Sequence, residues 1–319
     1  MYARNVAVAS LEDRYRAATE AVALLDRSER GKLALSGSQA VEFLDSLLSN
    51  DIAAVEPGHG VAAALLTHKG RLLAEVRVLR SEVELELDCE RAALQALFDA
   101  LNSYRIGFDA ELHKRTLERA LLSLIGPGSD ALFEHLPGPA EHDHIEAEIN
   151  GRAVLLIRTD LGLDLLCASE DGEAVAAALA AAGAQTVDEE TAEIVRVETG
   201  RPRFGIEIDE TTMPQEAGIH ERAVSYSKGC YVGQETVARL YWKGKPNRHL
   251  RGLRFAQSPQ PGAALTLGGH EVGAVASVAH SPRFGTIGLA LLRREAEPGA
   301  TLEVSGGGSA TVSGLPFER

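Results

Sequence analysis

Apolar residues recur at helical spacing at Val41, Leu44, Leu47 and Leu48 behind Ser38, so the pattern predicts a core-facing helix capped by Ser38 and ending near Asn50-Asp51. From Arg71 to Asp88 the period shortens to two. Leu72, Ala74, Val76 and Val78, then Val83, Leu85 and Leu87, share one side with charged residues between them, which predicts two antiparallel strands. Asp88 precedes a helix carrying Leu94, Leu97, Phe98 and Leu101, and Gly107 stands where the chain can reverse. A helix packed on antiparallel strands reads as α+β. Gly126-Pro127-Gly128 and the Pro-Gly-Pro content between Leu136 and His144 lead into a second unit. It is expected to hold strands at 153–157 and 163–167, an alanine-rich helix over 173–182 stopped by Gly183, and a helix over 191–197. That last helix runs into Glu198 and the turn Gly200-Arg201-Pro202. After Pro246 the texture changes to short alternating runs with a hairpin signal at Gly268-Gly269, indicating a small antiparallel barrel or sandwich.

Length supports this division, because 319 residues exceed the ~250 at which a single core stops growing. With 45 % hydrophobic and 24 % charged residues the chain is an ordinary globular one, which excludes a chain that stays disordered. Met1 to Ser10 has no basic start followed by a long apolar run, and no stretch approaches the ~20 apolar residues of a membrane span. The expected compartment is the cytoplasm, with no membrane partner. Cys89, Cys167 and Cys230 are too few and too scattered for a disulfide framework or a self-contained zinc or iron–sulfur site. A net charge of −14 repels nucleic acid, yet Arg239, Lys243, Lys245, Arg248, Arg251 and Arg254 form an acid-free basic run with Tyr241 and Trp242. That run reads either as a solvated basic hairpin or as a dock for a small polyanion or an RNA backbone.

The densest cluster of unusual residues is Ser227-Lys228-Gly229-Cys230-Tyr231-Val232-Gly233-Gln234-Glu235. A cation beside a cysteine favours the thiolate, and flanking glycines let the backbone approach a ligand; the plainer reading is a small apolar filler between turn glycines. Glu198 sits at a helix end where the dipole is unfavourable to it, so it needs a partner: the N–H pair of a pterin-like heterocycle, or a salt bridge to Arg196 or Arg201. His135, His142 and His144, with Glu141 and Asp143, match no tight metal-ligand spacing. No phosphate-binding loop, dinucleotide glycine motif or serine-hydrolase elbow is present, which argues against energy-coupled phosphoryl transfer.

The run Lys228-Gly229-Cys230-Tyr231-Val232-Gly233-Gln234-Glu235 resembles the signature of YgfZ-type proteins, which are similar to the aminomethyltransferase (T-protein) of glycine cleavage. Phe43-Leu44 through Asn50-Asp51, Lys69-Gly70-Arg71-Leu72-Leu73-Ala74, Arg196-Val197-Glu198 with Gly200-Arg201-Pro202, Met213-Pro214-Gln215-Glu216, and Val272-Gly273 to Leu289-Ala290-Leu291 carry the resemblance along the chain. It implies an α+β fold of two intertwined α/β units with antiparallel sheets and a C-terminal antiparallel β-barrel around a central folate-binding opening. The expected ranges are 1–112, 113–245 with the signature, and 246–319, the first two free to interleave. By resemblance, Cys230 is the functional thiol and Lys228 its electrostatic partner. Glu198 and Arg239, with Gly229, Tyr231, Gln234 and Glu235 of the signature, hold tetrahydrofolate or a one-carbon derivative. The implied role is an accessory factor for assembly or repair of iron–sulfur enzymes, with iron–sulfur client or assembly proteins as partners. The alternatives are one-carbon (aminomethyl) transfer and a link to tRNA modification, the net charge counting against direct tRNA binding. Aminomethyltransferases carry adjacent acids where this chain has Ala74-Glu75. Strand neighbours face opposite sides, so Glu75 need not replace the missing acid, which counts against ordinary glycine-cleavage activity.

Overall fold

A computed structural model describes residues 9–318, and their fold is α+β, built on three largely antiparallel sheets. The first sheet has the order His59–Leu66, Leu72–Arg80, Glu84–Cys89, Gly31–Ser36, Glu111–Lys114. Its register places Ala63, Val76 and Cys89 side by side on one face and Ala62, Arg77 and Asp88 side by side on the other. The apolar face packs on the helices Ala40–Leu47 and Leu94–Tyr104. The polar face turns toward the second sheet. Val83 is not part of the alternation: it is 79 % exposed at the turn, and its strand begins at Glu84. Ser38 does not cap the first core helix either, since its hydroxyl donates to Asp109 and Gln39 takes the cap position. That helix stops at Leu47, short of Asn50.

The second sheet has the order Gln185–Thr186, Ala23–Asp26, Arg119–Ile125, Gly162–Ala168, Arg152–Thr159, His144–Ile149. Leu122, Leu165 and Leu156 are in register and pack under the helix Gly172–Ala181, while the next register triplet, Ser123, Asp164 and Ile157, faces the first sheet. Leu79 from the first sheet meets Leu121, Ile157 and Leu166 from the second in a small apolar contact that joins the two. Chain segments are exchanged between these units. The strand Ala23–Asp26 belongs to the second sheet, whereas Phe204, Ile208, Met213, Ala217, Ala223 and Val237 return to the core of the first.

Residues 248–313 form a seven-stranded sheet that curls into an open half-barrel, including the hairpin at Gly268-Gly269. Both glycines have positive φ (58° and 81°), as a two-residue hairpin turn demands. The half-barrel seats Leu250, Ile287, Leu289 and Phe317 on Tyr15, Ile194 and Val197. The helix Glu189–Thr199 therefore touches the cavity between the first two sheets and the half-barrel at once.

Candidate functional site

Where the polar faces of the two sheets meet, the chain leaves a cavity lined mostly by charge. Asp88 is central. It receives Arg30 (2.7 Å) and Arg77, and Arg77 also donates to Asp164 (2.6 Å). Two guanidiniums hold the Asp88 carboxyl far below the usual carboxylate range against the opposing effect of burial. Arg196 pairs with Glu193 and with the fully buried Glu207 (2.8 Å), and Arg201 pairs with Asp160 (2.6 Å).

Glu75 lines this cavity, bonded to Arg222 of the short helix His220–Ala223. Ala74 beside it is in the apolar core, so strand alternation turns Glu75 toward the cavity. Burial pushes the Glu75 carboxyl up to about 7, against the pull of Arg201 and Arg30. The sequence reading named this residue and held that it need not replace the missing acid; with Leu72, Ala74 and Val76 in the core, the strand register turns it to the cavity. His142 also reaches the cavity, and burial drives its imidazole down to about 3, so it is neutral near pH 7. The neighbouring groups diverge from it: Asp143 holds His59 (2.6 Å), His144 binds the Arg80 carbonyl (3.1 Å), and His135 is exposed. Among the described residues no group of His, Cys, Asp and Glu is arranged to hold a metal ion.

The signature lies on a turn anchored from below. The Lys228 side chain is 1 % exposed, and its ammonium donates to the Asp45 carboxylate (2.9 Å) and to the carbonyls of Asp45, Leu48 (3.1 Å) and Asn50 (2.8 Å). These carbonyls close the helix Ala40–Leu47, where a cation also complements the dipole. Tyr231 is buried in the same core, and Gln234 donates to the Gly229 carbonyl (3.2 Å), closing the turn. Gly233 has φ 83°, and a Cβ there would lie 2.5 Å from the Thr67 carbonyl oxygen. The glycine is what lets the turn rest on the Thr67–Gly70 loop. Cys230 is exposed on this turn, and Gly229, Glu235 and Arg239 are exposed as well. Cys89 and Cys167 are buried, the Cys89 thiol pushed up to about 12 by burial.

Glu198 lies elsewhere again. Its carboxylate accepts from the hydroxyls of Tyr15 (2.9 Å) and Ser281 (2.5 Å), so hydroxyls rather than Arg196 or Arg201 answer the helix-end charge, and it does not line the cavity. The basic run is divided. Arg248 bonds Glu216 (2.9 Å), and Arg254 bonds the Glu318 carbonyl (2.6 Å) between Phe284 and Phe317. Arg239, Lys243 and Lys245 remain exposed beside Tyr241 and Trp242. Glu216 also receives Arg71 (3.1 Å), so the Met213–Glu216 motif ties the first sheet to the half-barrel.

Two sheets closed on a charged cavity by a helix that also carries a curled third sheet define a T-protein-like architecture. Residues 1–228 match the GCVT N-terminal domain and residues 248–317 the glycine cleavage T-protein C-terminal barrel domain, and the chain belongs to this family. It is 30 % identical to an aminomethyltransferase of Saccharopolyspora erythraea, over 96 % of this chain and 89 % of that one. It is 26 % identical to a putative chloroplastic transferase of Arabidopsis thaliana, over 93 % and 71 % respectively. The crystal structure of the glycine cleavage aminomethyltransferase of Bartonella henselae superposes with a TM-score of 0.85 at 23 % identity, covering 97 % of this chain and 90 % of that one, and shares the fold. No helix among the described residues is long and apolar enough to cross a membrane.

Proposed function

We propose that this chain belongs to the YgfZ-type branch of its family: a cytoplasmic protein that binds tetrahydrofolate or a one-carbon derivative and supports assembly or repair of iron–sulfur enzymes through Cys230. The observation that carries the reading is the exposed thiol on a turn whose base, Lys228, is locked to the C-terminal end of the helix Ala40–Leu47. A rigid base fixes where the sulfur points, which suits handing it to a partner. A lone cysteine cannot hold a cluster by itself, so any ligation is shared with an iron–sulfur client or assembly protein. The cavity suits a folate in the chemistry of its lining. Carboxylates and guanidiniums on one wall match a heterocycle edge that carries N–H groups beside a carbonyl. When bound, tetrahydrofolate supplies a nitrogen that carries a one-carbon unit. Glu198 serves as a pterin partner only if Tyr15 or Ser281 releases one of its oxygens. Gly229, Tyr231, Gln234 and Glu235 shape the thiol turn, and Arg239 offers an exposed cation to the glutamate tail of the folate.

One observation favours a second reading, folate-dependent one-carbon transfer. Glu75 faces the cavity and titrates near neutral pH, as a general acid or base must. The two readings separate in one experiment. Cells lacking the chain receive wild type, Cys230→Ala or Glu75→Gln, and the activity of their iron–sulfur enzymes is measured. Loss with Cys230→Ala and retention with Glu75→Gln supports the accessory role; full rescue by Cys230→Ala removes it.

A further inference from the structure

The helix Gln234–Lys243 begins just after Cys230 and is tied to the thiol turn, because Gly233 caps it and Gln234 bonds back to the Gly229 carbonyl. Val237 is buried and Leu240 packs against the core of the first sheet, so the opposite side of the helix faces out. Glu235, Arg239, Trp242 and Lys243 recur at helical spacing as one exposed stripe on that side. The stripe ends in an aromatic ladder. Tyr226 stacks on Tyr241 with ring centroids 3.8 Å apart, and Trp242, the chain's only tryptophan, meets Tyr241 edge-on at 4.8 Å. The ladder holds the indole in place, yet Trp242 is 69 % exposed. A large ring ordered in advance and left in water is what an interface anchor requires, since little ordering entropy is then lost when a partner covers it. Lys243 and Lys245 flank the ring, both exposed. Arg248 further along is tied to Glu216, whereas these two lysines pair with no carboxylate of the described residues.

We propose that this face of the helix docks a partner protein through an acidic segment beside an apolar pocket, with Trp242 filling the pocket and Lys243 and Lys245 meeting the acids, so that the docked partner meets Cys230 at the start of the same helix. The inference rests on the accessory reading and supplies what that reading leaves open, the surface that holds an iron–sulfur client while the thiol reaches it. Charge selects the occupant. A chain of net charge −14 repels a long nucleic-acid backbone, whereas an acidic segment confined to one patch of a protein meets only the local cations. Size agrees with this: the ten residues of the helix span about 15 Å, so anchor and thiol both fit beneath the roughly 800 Å² that each side of an ordinary protein interface covers.

Two measurements on the full chain test this together. In cells lacking the chain, Trp242→Ala and the double variant Lys243→Glu/Lys245→Glu are expected to lower iron–sulfur enzyme activity as Cys230→Ala does. The purified variants should melt with wild type, and their Cys230 should react with an aromatic disulfide reagent at the wild-type rate, because neither change touches the turn. In vitro, a labelled peptide rich in glutamate and leucine is titrated by anisotropy beside an oligouridine of equal charge. The peptide is expected to bind the more tightly, to shift the emission of Trp242 to the blue, and to lose about tenfold in affinity in either variant. Activity kept by both variants where Cys230→Ala loses it, or a wild type that does not bind the peptide, overturns the docking face and leaves the accessory reading standing. Tighter binding of the oligouridine overturns the acidic partner in favour of an RNA backbone. Full activity with Cys230→Ala overturns both readings.

Discussion

In the cavity, buried charge is balanced by charge: Asp88 between Arg30 and Arg77, Arg201 against Asp160, Arg196 against Glu193 and Glu207. At the thiol turn, a single buried ammonium is balanced mainly by backbone carbonyls. Carbonyls neither titrate nor swing to a new partner, so the Lys228 arrangement is architecture. Carboxylates and guanidiniums do both, and at Glu141 the contacts are long, 3.6 Å to Arg201 and 4.0 Å to Arg222. The cavity therefore holds the groups that can answer to pH, and the turn is held by groups that cannot.

The most severe way to test that contrast is Lys228→Met. It leaves three carbonyls and the Asp45 carboxylate without their cation and is expected to cost about 3 kcal/mol of unfolding free energy, read from denaturant titration. If Lys228 acted only on the thiol, stability would be untouched and the rate of Cys230 alkylation alone would change. Glu75→Gln should have a smaller effect, and one that depends on pH. The native carboxyl keeps its proton up to about 7, whereas the unfolded chain releases it near the ordinary value of 4.5. Wild-type stability from this group is thus greatest at low pH and is lost as pH rises from 4.5 to 7. Relative to wild type, Glu75→Gln should gain on the order of 2 kcal/mol across that window and level off above it. The His142 imidazole has the opposite sign, because the unfolded chain gains its proton as pH falls below 6.5. Both proteins carry it, so it cancels in the difference. A difference that is flat with pH would place Glu75 in ordinary ionised pairing with Arg222.

Much of this contrast was legible in the sequence on one side and little on the other. The alternation of Leu72, Ala74 and Val76, the helix over Leu94 to Leu101 and the Gly268-Gly269 hairpin are local patterns, and the structure contains them. The signature turn was visible as a run of residues because its parts are contiguous. Its anchor was not, since Asp45, Leu48 and Asn50 lie some 180 positions away and act mostly through their carbonyls, which no side-chain pattern records. The cavity is assembled from strands of both sheets and from Arg196, Arg201 and Arg222, so no window of sequence contains it. Ser38 shows the same limit on a small scale: its capping hydroxyl is claimed by Asp109, in the loop before the strand Glu111–Lys114.

The smallest effect on stability belongs to Cys230→Ala, and it carries the most specific information about the turn. The side chain is exposed, and exposed substitutions away from packing and caps usually stay within about 0.5 kcal/mol. The turn beneath it is held by Lys228, Tyr231 and the Gln234–Gly229 bond, none of which involves the sulfur. In the native protein one thiol is expected to react with an aromatic disulfide reagent, and Cys230→Ala should remove it. Cys89 and Cys167, buried with thiols raised by burial, should react only on unfolding. Two fast thiols in the native wild type would mean that one of the sheets opens on the timescale of the reaction. The turn would then no longer be the only place where sulfur chemistry reaches solvent, and the division between a responsive cavity and a fixed turn would have to be redrawn.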